Sequence, residues 1–382
     1  MTEPITELMT RRTTKPVTKL WWAQIRSVIR LEMKKTFFAK RGLWVYVVAL
    51  LPVLLFIGYA IANSHQRDRS AQLARQNEKP LTNQDLQAIK SGMTSEEVVA
   101  MLGKPPIRFH WTDQRAVEGG ESVKVARESY RYSDGSNDLY LELADGKVER
   151  VNVREGSNVG EDAIMFAGVF QFFFIRLAVF FGCLGIFMNL FRGEVLDRSL
   201  HFYFLAPIRR EVLMAGKFLS GLLATCIIFA TSELLQTIAF TWHFSPNMRD
   251  LYLYQNHGLS HAMTYLGVTA LACLGYGAFF LAAGMLFRNP ILPAAAILIW
   301  EGVNPFLPPL LKQFSVIYYL KSLCPVNVPT PPGTPPLFAM LISNPDPVPG
   351  AIAVIGVVTV ALLALCASSF QVRRMEINYT SE

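Results

Sequence analysis

Charge is scarce in this chain. Of 382 residues only 17% are charged, against about 25% in an ordinary soluble domain, while 52% are hydrophobic. That balance, with long uninterrupted apolar runs, excludes a conventional soluble globule and points to a bilayer-crossing protein. Cysteine is sparse as well, five in all. Cys183, Cys226, Cys273 and Cys366 fall inside apolar runs and Cys324 stands alone. No disulfide framework is expected, and the five read as small hydrophobes. The phosphate-cradling sequence G-x-x-x-x-G-K-[ST] does not occur; MAGKF lacks both the first glycine at the right spacing and the final Ser or Thr. No nucleophile–base pair stands out, so no catalytic residue is assigned and no metal site is expected. The first 20 residues are polar and the first apolar run has full spanning length, so no cleavable signal peptide is expected. The net charge is +7, but much of the excess lies in the first 42 residues, beside an apolar run. That placement favours a membrane surface over nucleic acid as partner.

A helix needs about 20 apolar residues to cross a bilayer. Six runs meet or approach that length: 43–62, 163–190, 211–242, 262–287, 291–311 and 348–370. The second holds Arg176, the third Lys217 near its start and Glu233 inside it, and the fifth Glu301 with four prolines. Lys and Arg crowd residues 1–42, 191–210 and 371–382 and thin out in 243–261 and 312–347. By the excess of positive charge on cytoplasmic loops, both termini are cytoplasmic and the insert 63–162 lies outside, as do the helices and proline-rich loop of 312–347. Lys217 is expected to snorkel to the cytoplasmic interface. Ahead of the first run, Trp21, Trp22, Ile25, Val28, Ile29 and Phe37 recur at helical spacing, and Arg26, Arg30 and Lys34 form a basic stripe. Such a helix lies at the interface, either as a plain anchor or as a connecting helix packed on the spans. The expected fold class is an α-helical polytopic membrane protein: six transmembrane helices, an N-terminal amphipathic helix and a small α+β extracytoplasmic domain.

That domain is residues 63–162. TNQDLQAIKSGM reads as a short helix, and TSEEVVAMLGKP as a second, with Thr94 and Glu97 as its capping box and Gly103 and Pro105 as its stop. SYRYSDGSNDLYLELADGKVERVNV alternates apolar and polar residues, with Asp134-Gly135 and Asp145-Gly146 at turns, giving a meander of about three strands. Asp134, Asp138, Glu142 and Asp145 suit turns and a solvent face better than a metal site. The blocks SGMTSEEVVAMLGKP and LYLELADGKVERV, within 81–153, resemble the small outer-membrane-assembly lipoprotein domain of the BamE/SmpA type. That resemblance implies two short helices on a three-stranded antiparallel sheet, serving protein contacts. The lipidation cysteine of that family is missing, since no Cys occurs before Cys183.

Between the second and third runs, RGEVLDRSLHFYFLAP suits a short helix ended by Pro207, with Leu196, Leu200 and Phe204 spaced four apart among charges. Such a segment exposes apolar and charged groups together, which favours something docking there. The longer stretch GEVLDRSLHFYFLAPIRREVLMAGKFLSGLL resembles permeases of the ABC-2 type of ATP-binding cassette transporter. In that family a short acidic helix, a proline turn and a lysine opening the third span follow one another; here Glu194, Pro207, Arg209, Arg210 and Lys217 stand in those places. The resemblance covers 20–62 and 163–372; the insert of roughly 100 residues departs from the family's compact exporters. It implies a helix at 194–205 coupling to a separate cytoplasmic ATPase through Glu194, Leu196, Asp197, Leu200, Phe204 and Pro207. It further implies a second permease copy, identical or a sister chain, and residence in the bacterial inner membrane. ATP and Mg would then be held by the ATPase partner and no cofactor by this chain.

Ionisable groups at bilayer depth face protein or water and usually pair. Arg176, Glu233 and Glu301 are the candidates. Either Arg176 pairs with a carboxylate to hold spans together, or Glu233 or Glu301 lines a transport path. His243, His257 and His261 cluster in the external segment, and HGLSH puts His257 and His261 one helical turn apart, which suits a span start better than a metal pair. The leading functional expectation is an exporter permease. The alternative is a relay of ATP-driven motion through the external domain to an envelope protein.

Overall fold

Helix-compatible sequence dominates, and the computed structural model is mostly helical over the residues it describes: 17–38, 42–116, 122–154, 156, 158–196, 208–287, 291–330, 333–335, 339 and 348–374. In chain order the elements are α1 (Val17–Phe38), α2 (Leu43–Gln76), α3 (Asn83–Gln87) and α4 (Ser95–Leu102), then strands β1 (Ile107–Ala116), β2 (Ser122–Ser133), β3 (Asp138–Ala144) and β4 (Lys147–Arg154). After the sheet come α5 (Val159–Gly168), a π-helical segment Val169–Val179, α6 (Phe180–Leu196), α7 (Arg210–Trp242), α8 (Pro246–Asp250) and a second π segment, Leu251–Gln255. The chain continues with α9 (Gly258–Leu286), α10 (Ile291–Val303), α11 (Pro309–Lys312), α12 (Val316–Leu323) and α13 (Gly350–Arg374). These residues cluster into two units: one from 1–54, 164–238 and 257–382, the other from 55–163 and 239–256.

Five helical stretches are long and apolar enough to cross a membrane: Leu43–Gln76, Val159–Leu190, Arg210–Trp242, Gly258–Leu286 and Gly350–Arg373. The fifth sequence run, 291–311, is not one continuous helix. Its helix α10 has 13 residues, roughly 20 Å of rise against a hydrocarbon core of about 30 Å. Pro305 sits in a 3₁₀ turn, Asn304–Phe306, that ends the run; α11 then restarts on Pro309 for 4 residues. Proline removes a backbone donor and clashes with the preceding turn, which is the reason for the break. In the first unit α9 packs along both α6 and α13, and α12 lies against α9 and α13.

The second unit holds a four-stranded antiparallel meander, ordered β1-β2-β3-β4. The sequence implied about three strands; Ile107–Ala116 adds one at the edge, paired to β2 from Ile107↔Arg131 to Ala116↔Ser122. Helices α3 and α4 of this unit start with the same device. Thr82 caps Asp85 and Thr94 caps Glu97, each acid returning a bond of 2.8 Å to the cap's own N–H. Strands β3 and β4 are joined by Asp145 and Gly146 alone, with φ of 48° and 75°, both in the left-handed region that Asp and Gly tolerate best. Leu139, Leu141 and Leu143 alternate inward at 0% exposure and pack with Leu86, Val98, Leu102 and Tyr132. Each such side chain contributes roughly 1.5–3 kcal/mol by burial. A slip of one residue would turn all three leucines outward, so this core also fixes the register. Tyr132 donates to the carbonyl of Gly103 at 2.9 Å, tying the sheet to the end of α4.

On β2, Glu128 accepts from Tyr130 Oη at 2.6 Å and from Arg108 at 3.0 Å, with His110 Nδ1 at 3.3 Å. Burial pushes its carboxyl up, but the bonds from Tyr130 and Arg108 and the charges of Arg108 and His110 outweigh that and hold it below the usual carboxylate range. Burial and the same contact to Glu128 push the Tyr130 phenol up to about 12.

Candidate functional site

Three polar constellations stand out, two in the first unit and one in the second. The first involves α1. Its Val28 is buried, and a side chain at Gly216 of α7 would meet Val28 Cβ at 3.0 Å, so the two helices touch at a glycine. One turn along α1 from Val28, and at the residue after Gly216 on α7, Lys217 Nζ lies 2.8 Å from Glu32 Oε1 and donates to the carbonyl of Leu190 at 2.9 Å. Lys217 is 0% exposed. The expectation that it snorkels to the interface is therefore corrected. The ammonium finds an acid and a carbonyl inside the protein, which removes the reason to reach for water. Glu32 carries no sequence signal among the basic residues around it. Its role emerges only from the packing that supports α1 as a connecting helix.

The coupling set falls across the edge of what is described. Glu194 and Leu196 belong to the last turn of α6; Asp197, Leu200, Phe204 and Pro207 lie outside the described residues. Arg209 is described, its guanidinium 5.2 Å from the Trp21 ring of α1. Arg210 donates to the carbonyl of Arg373 at 3.0 Å.

The second constellation is Glu301. Its carboxylate accepts from Ser315 Oγ at 2.7 Å, from Val316 N at 3.0 Å and from Ile317 N at 2.9 Å. Glu301 thus satisfies the first amides of α12, groups that no turn of that helix can reach, and its charge suits the positive end of the helix dipole. It also lines an apolar cavity of about 490 Å³ with Phe279, Trp300, Phe314 and Leu363. Arg176 lies in the first π-helical segment, 5.7 Å over the Phe172 ring, and its Nε is buried without a hydrogen-bond partner among the described residues. The expected Arg176–carboxylate ion pair is not formed among those residues; Glu301 is committed to α12 and the arginine to an aromatic face. Glu233 accepts from Thr237 at 3.0 Å through one oxygen, and its other oxygen is buried without a hydrogen-bond partner among the described residues. The three intramembrane candidates therefore sit in three different environments, and only Glu301 adjoins this cavity.

The third constellation takes His243, grouped by sequence with His257 and His261, and joins it to partners that no sequence pattern marks. In the second unit Asp162, at the start of α5, accepts from Tyr59 Oη at 2.5 Å and contacts His243 Nε2 at 3.1 Å. Asp162 is 5% exposed and His243 1%. Arg67 donates to the carbonyl of His243 at 3.1 Å. These residues line a cleft of about 620 Å³ together with Arg154, Asn137 and Glu161. The partners stand 81 and 103 positions apart in the chain, which is why no local pattern announces them. Among the described residues no group of three or more His, Cys, Asp or Glu is arranged to hold a metal ion, and His257 and His261 begin α9.

Comparison with family models, with curated proteins and with solved structures returns no match, so what this chain does has to be argued from its own residues.

Proposed function

We propose that this chain is the membrane-spanning subunit of an ATP-binding cassette transporter of the ABC-2 type, an exporter powered by a separate ATPase docked at 194–205. The observation that carries this reading is the Lys217 node. Its ammonium bridges Glu32 of α1 and the Leu190 carbonyl of α6 from a position on α7. Leu190 and Lys217 flank the segment to which the docking helix belongs. A force applied between them reaches three helices through one buried contact, which suits a device that converts nucleotide closure into helix movement. The broken element α10–α11 and its Glu301-capped neighbour α12 support a transport path, because interrupted helices at membrane depth are tolerated where they lie inside protein or beside a cavity. In this reading 291–311 counts as the sixth membrane element, the termini are cytoplasmic, the membrane is the bacterial inner one, and two permease chains work with two ATPases that hold ATP and Mg.

A second reading is favoured by one feature of the insert. Edge strand β1 exposes Phe109 at 64% and Trp111 at 42%, a surface suited to an envelope protein moved by the same ATP-driven device. Affinity purification of the full chain in mild detergent, with mass spectrometry of what accompanies it, tests the first reading. A P-loop ATPase should accompany the wild type and be lost from Glu194→Arg/Leu200→Asp; its absence from both samples would sink the proposal. Deletion of 66–158 separates the two readings, since an exporter keeps ATP-dependent substrate movement and a relay loses its output.

A further inference from the structure

The cleft around Asp162 belongs to neither the docking segment nor the Glu301 cavity. Its charges are unevenly spent. Both Asp162 oxygens are engaged, by Tyr59 and His243. With Asp162 as acceptor, the proton of a neutral His243 sits on Nε2, and Nδ1 is buried without a hydrogen-bond partner among the described residues. Arg67 is exposed and uses one amino group on the His243 carbonyl. Arg154 and Glu161 are exposed on the same lining and form no ion pair among the described residues. Among the described residues, one free cation, one half-free cation and one free carboxylate thus share a single concavity with the neutral amides of Asn63 and Asn137.

The position of the lining in the chain says at what depth a ligand would sit. Tyr59 and Asn63 stand at the end of the apolar run 43–62, Asp162 directly before the run 163–190, and His243 directly after 211–242. The ends of three apolar runs contribute to one cleft, and the ends of such runs lie at headgroup level. Val159, Met248 and Leu251 add apolar surface to the same lining.

We propose that this cleft binds the headgroup of a zwitterionic phospholipid, its phosphate on Arg67 and Arg154 and its ammonium on Glu161. Guanidinium groups match phosphate oxygens in fork geometry, and a carboxylate beside them selects a headgroup carrying a cation over a purely anionic one. The cleft volume of about 620 Å³ leaves room for the headgroup and the glycerol next to it. This site does not depend on the permease reading, because it needs neither ATP nor a partner chain.

The test uses the full chain in detergent and measures dissociation constants by native mass spectrometry. The probes are short-chain phosphatidylethanolamine, phosphatidylglycerol and diacylglycerol, with glycerophosphoethanolamine as the soluble source of the same headgroup. Arg154→Gln should weaken phosphatidylethanolamine about ten- to a hundredfold, the worth of a charge-assisted hydrogen bond, with diacylglycerol weak throughout. Arg150→Gln, on the same strand but outside the cleft, should leave binding unchanged. Glu161→Gln should weaken phosphatidylethanolamine and spare phosphatidylglycerol. Equal binding by wild type and Arg154→Gln, or diacylglycerol as tight as phospholipid, overturns the proposal. Indifference to Glu161→Gln overturns the ammonium contact. Glycerophosphoethanolamine as tight as the lipid, and lost in the same variant, keeps the headgroup chemistry and overturns the lipid as its source. Loss of ATPase co-purification in the docking variant with unchanged lipid binding keeps the two proposals apart.

Discussion

Lys217 and Glu32 form a buried ion pair 2.8 Å long, between residues 185 positions apart. Removing one partner leaves a charge in the interior, which typically costs about 3–5 kcal/mol, whereas replacing both with apolar groups of similar volume is often near neutral. Lys217→Met should therefore lower the thermal midpoint of the full chain in detergent more than Lys217→Met/Glu32→Met does. If the double variant is as unstable as the sum of the single ones, the pair is not the unit that holds α1 to α7.

Glu301 makes a different kind of contact, with backbone amides. Glu301→Ala strands Val316 N, Ile317 N and Ser315 Oγ, and a buried donor without a partner costs about 1–3 kcal/mol. Glu301→Gln keeps an acceptor oxygen and should recover part of that loss. Hydrogen exchange at the amides of Val316 and Ile317 reads the effect directly: fast in Ala, intermediate in Gln, slow in wild type. Equal protection in all three would remove Glu301 from the cap.

How much of this was legible in the sequence depends on how far apart the interacting residues lie. Thr94 with Glu97, and Asp145 with Gly146, are local devices whose sequence spacing is the structure. The apolar runs are legible for the same reason, since burial in lipid needs only length and composition. Strand β1 is less legible: Ile107, Phe109 and Trp111 alternate with polar residues, but the pattern stops at Asp113 and Arg115, whereas Leu139, Leu141 and Leu143 carry it along β3. The four prolines of 291–311 mark its interruption, while length and hydropathy alone count the run as a span. Glu301 was flagged as an intramembrane acid, but its partners are backbone amides, which have no residue signature. Lys217–Glu32 and Tyr59–Asp162–His243 join distant segments, and no periodicity encodes them.

The Glu128 cluster sets a pH dependence for the sheet. Its folded carboxyl is depressed below the unfolded value of about 4.3, so the group adds stability that is present above that value and lost as pH falls through the folded one. Protection factors of the β1 and β2 amides in the full chain should fall between pH 5 and pH 3, about those carboxylate values. Glu128→Gln should flatten that fall while lowering protection at neutral pH. A wild-type profile as flat as the variant's would show that Glu128 is not held by Tyr130 and Arg108.

The contact of α1 with α7 can be tested from the glycine side. A Cβ at Gly216 would lie 3.0 Å from both Cβ and Cγ1 of Val28, tighter than a relaxed contact, and Val28 is β-branched and stiff. Gly216→Ala should lower the thermal midpoint even though alanine favours a helix over glycine by about 1 kcal/mol. Gly58→Ala in α2 is the control: nothing lies within 4 Å of the added carbon, so helix propensity alone acts and the midpoint should hold or rise. Adding Val28→Ala to Gly216→Ala vacates the space that the new methyl needs. The double variant should therefore recover part of the loss, although Val28→Ala alone is destabilising through its lost burial. Additive losses in the double variant would mean that Val28 and Gly216 do not meet, and α1 would then be an interfacial anchor with no packing role on α7.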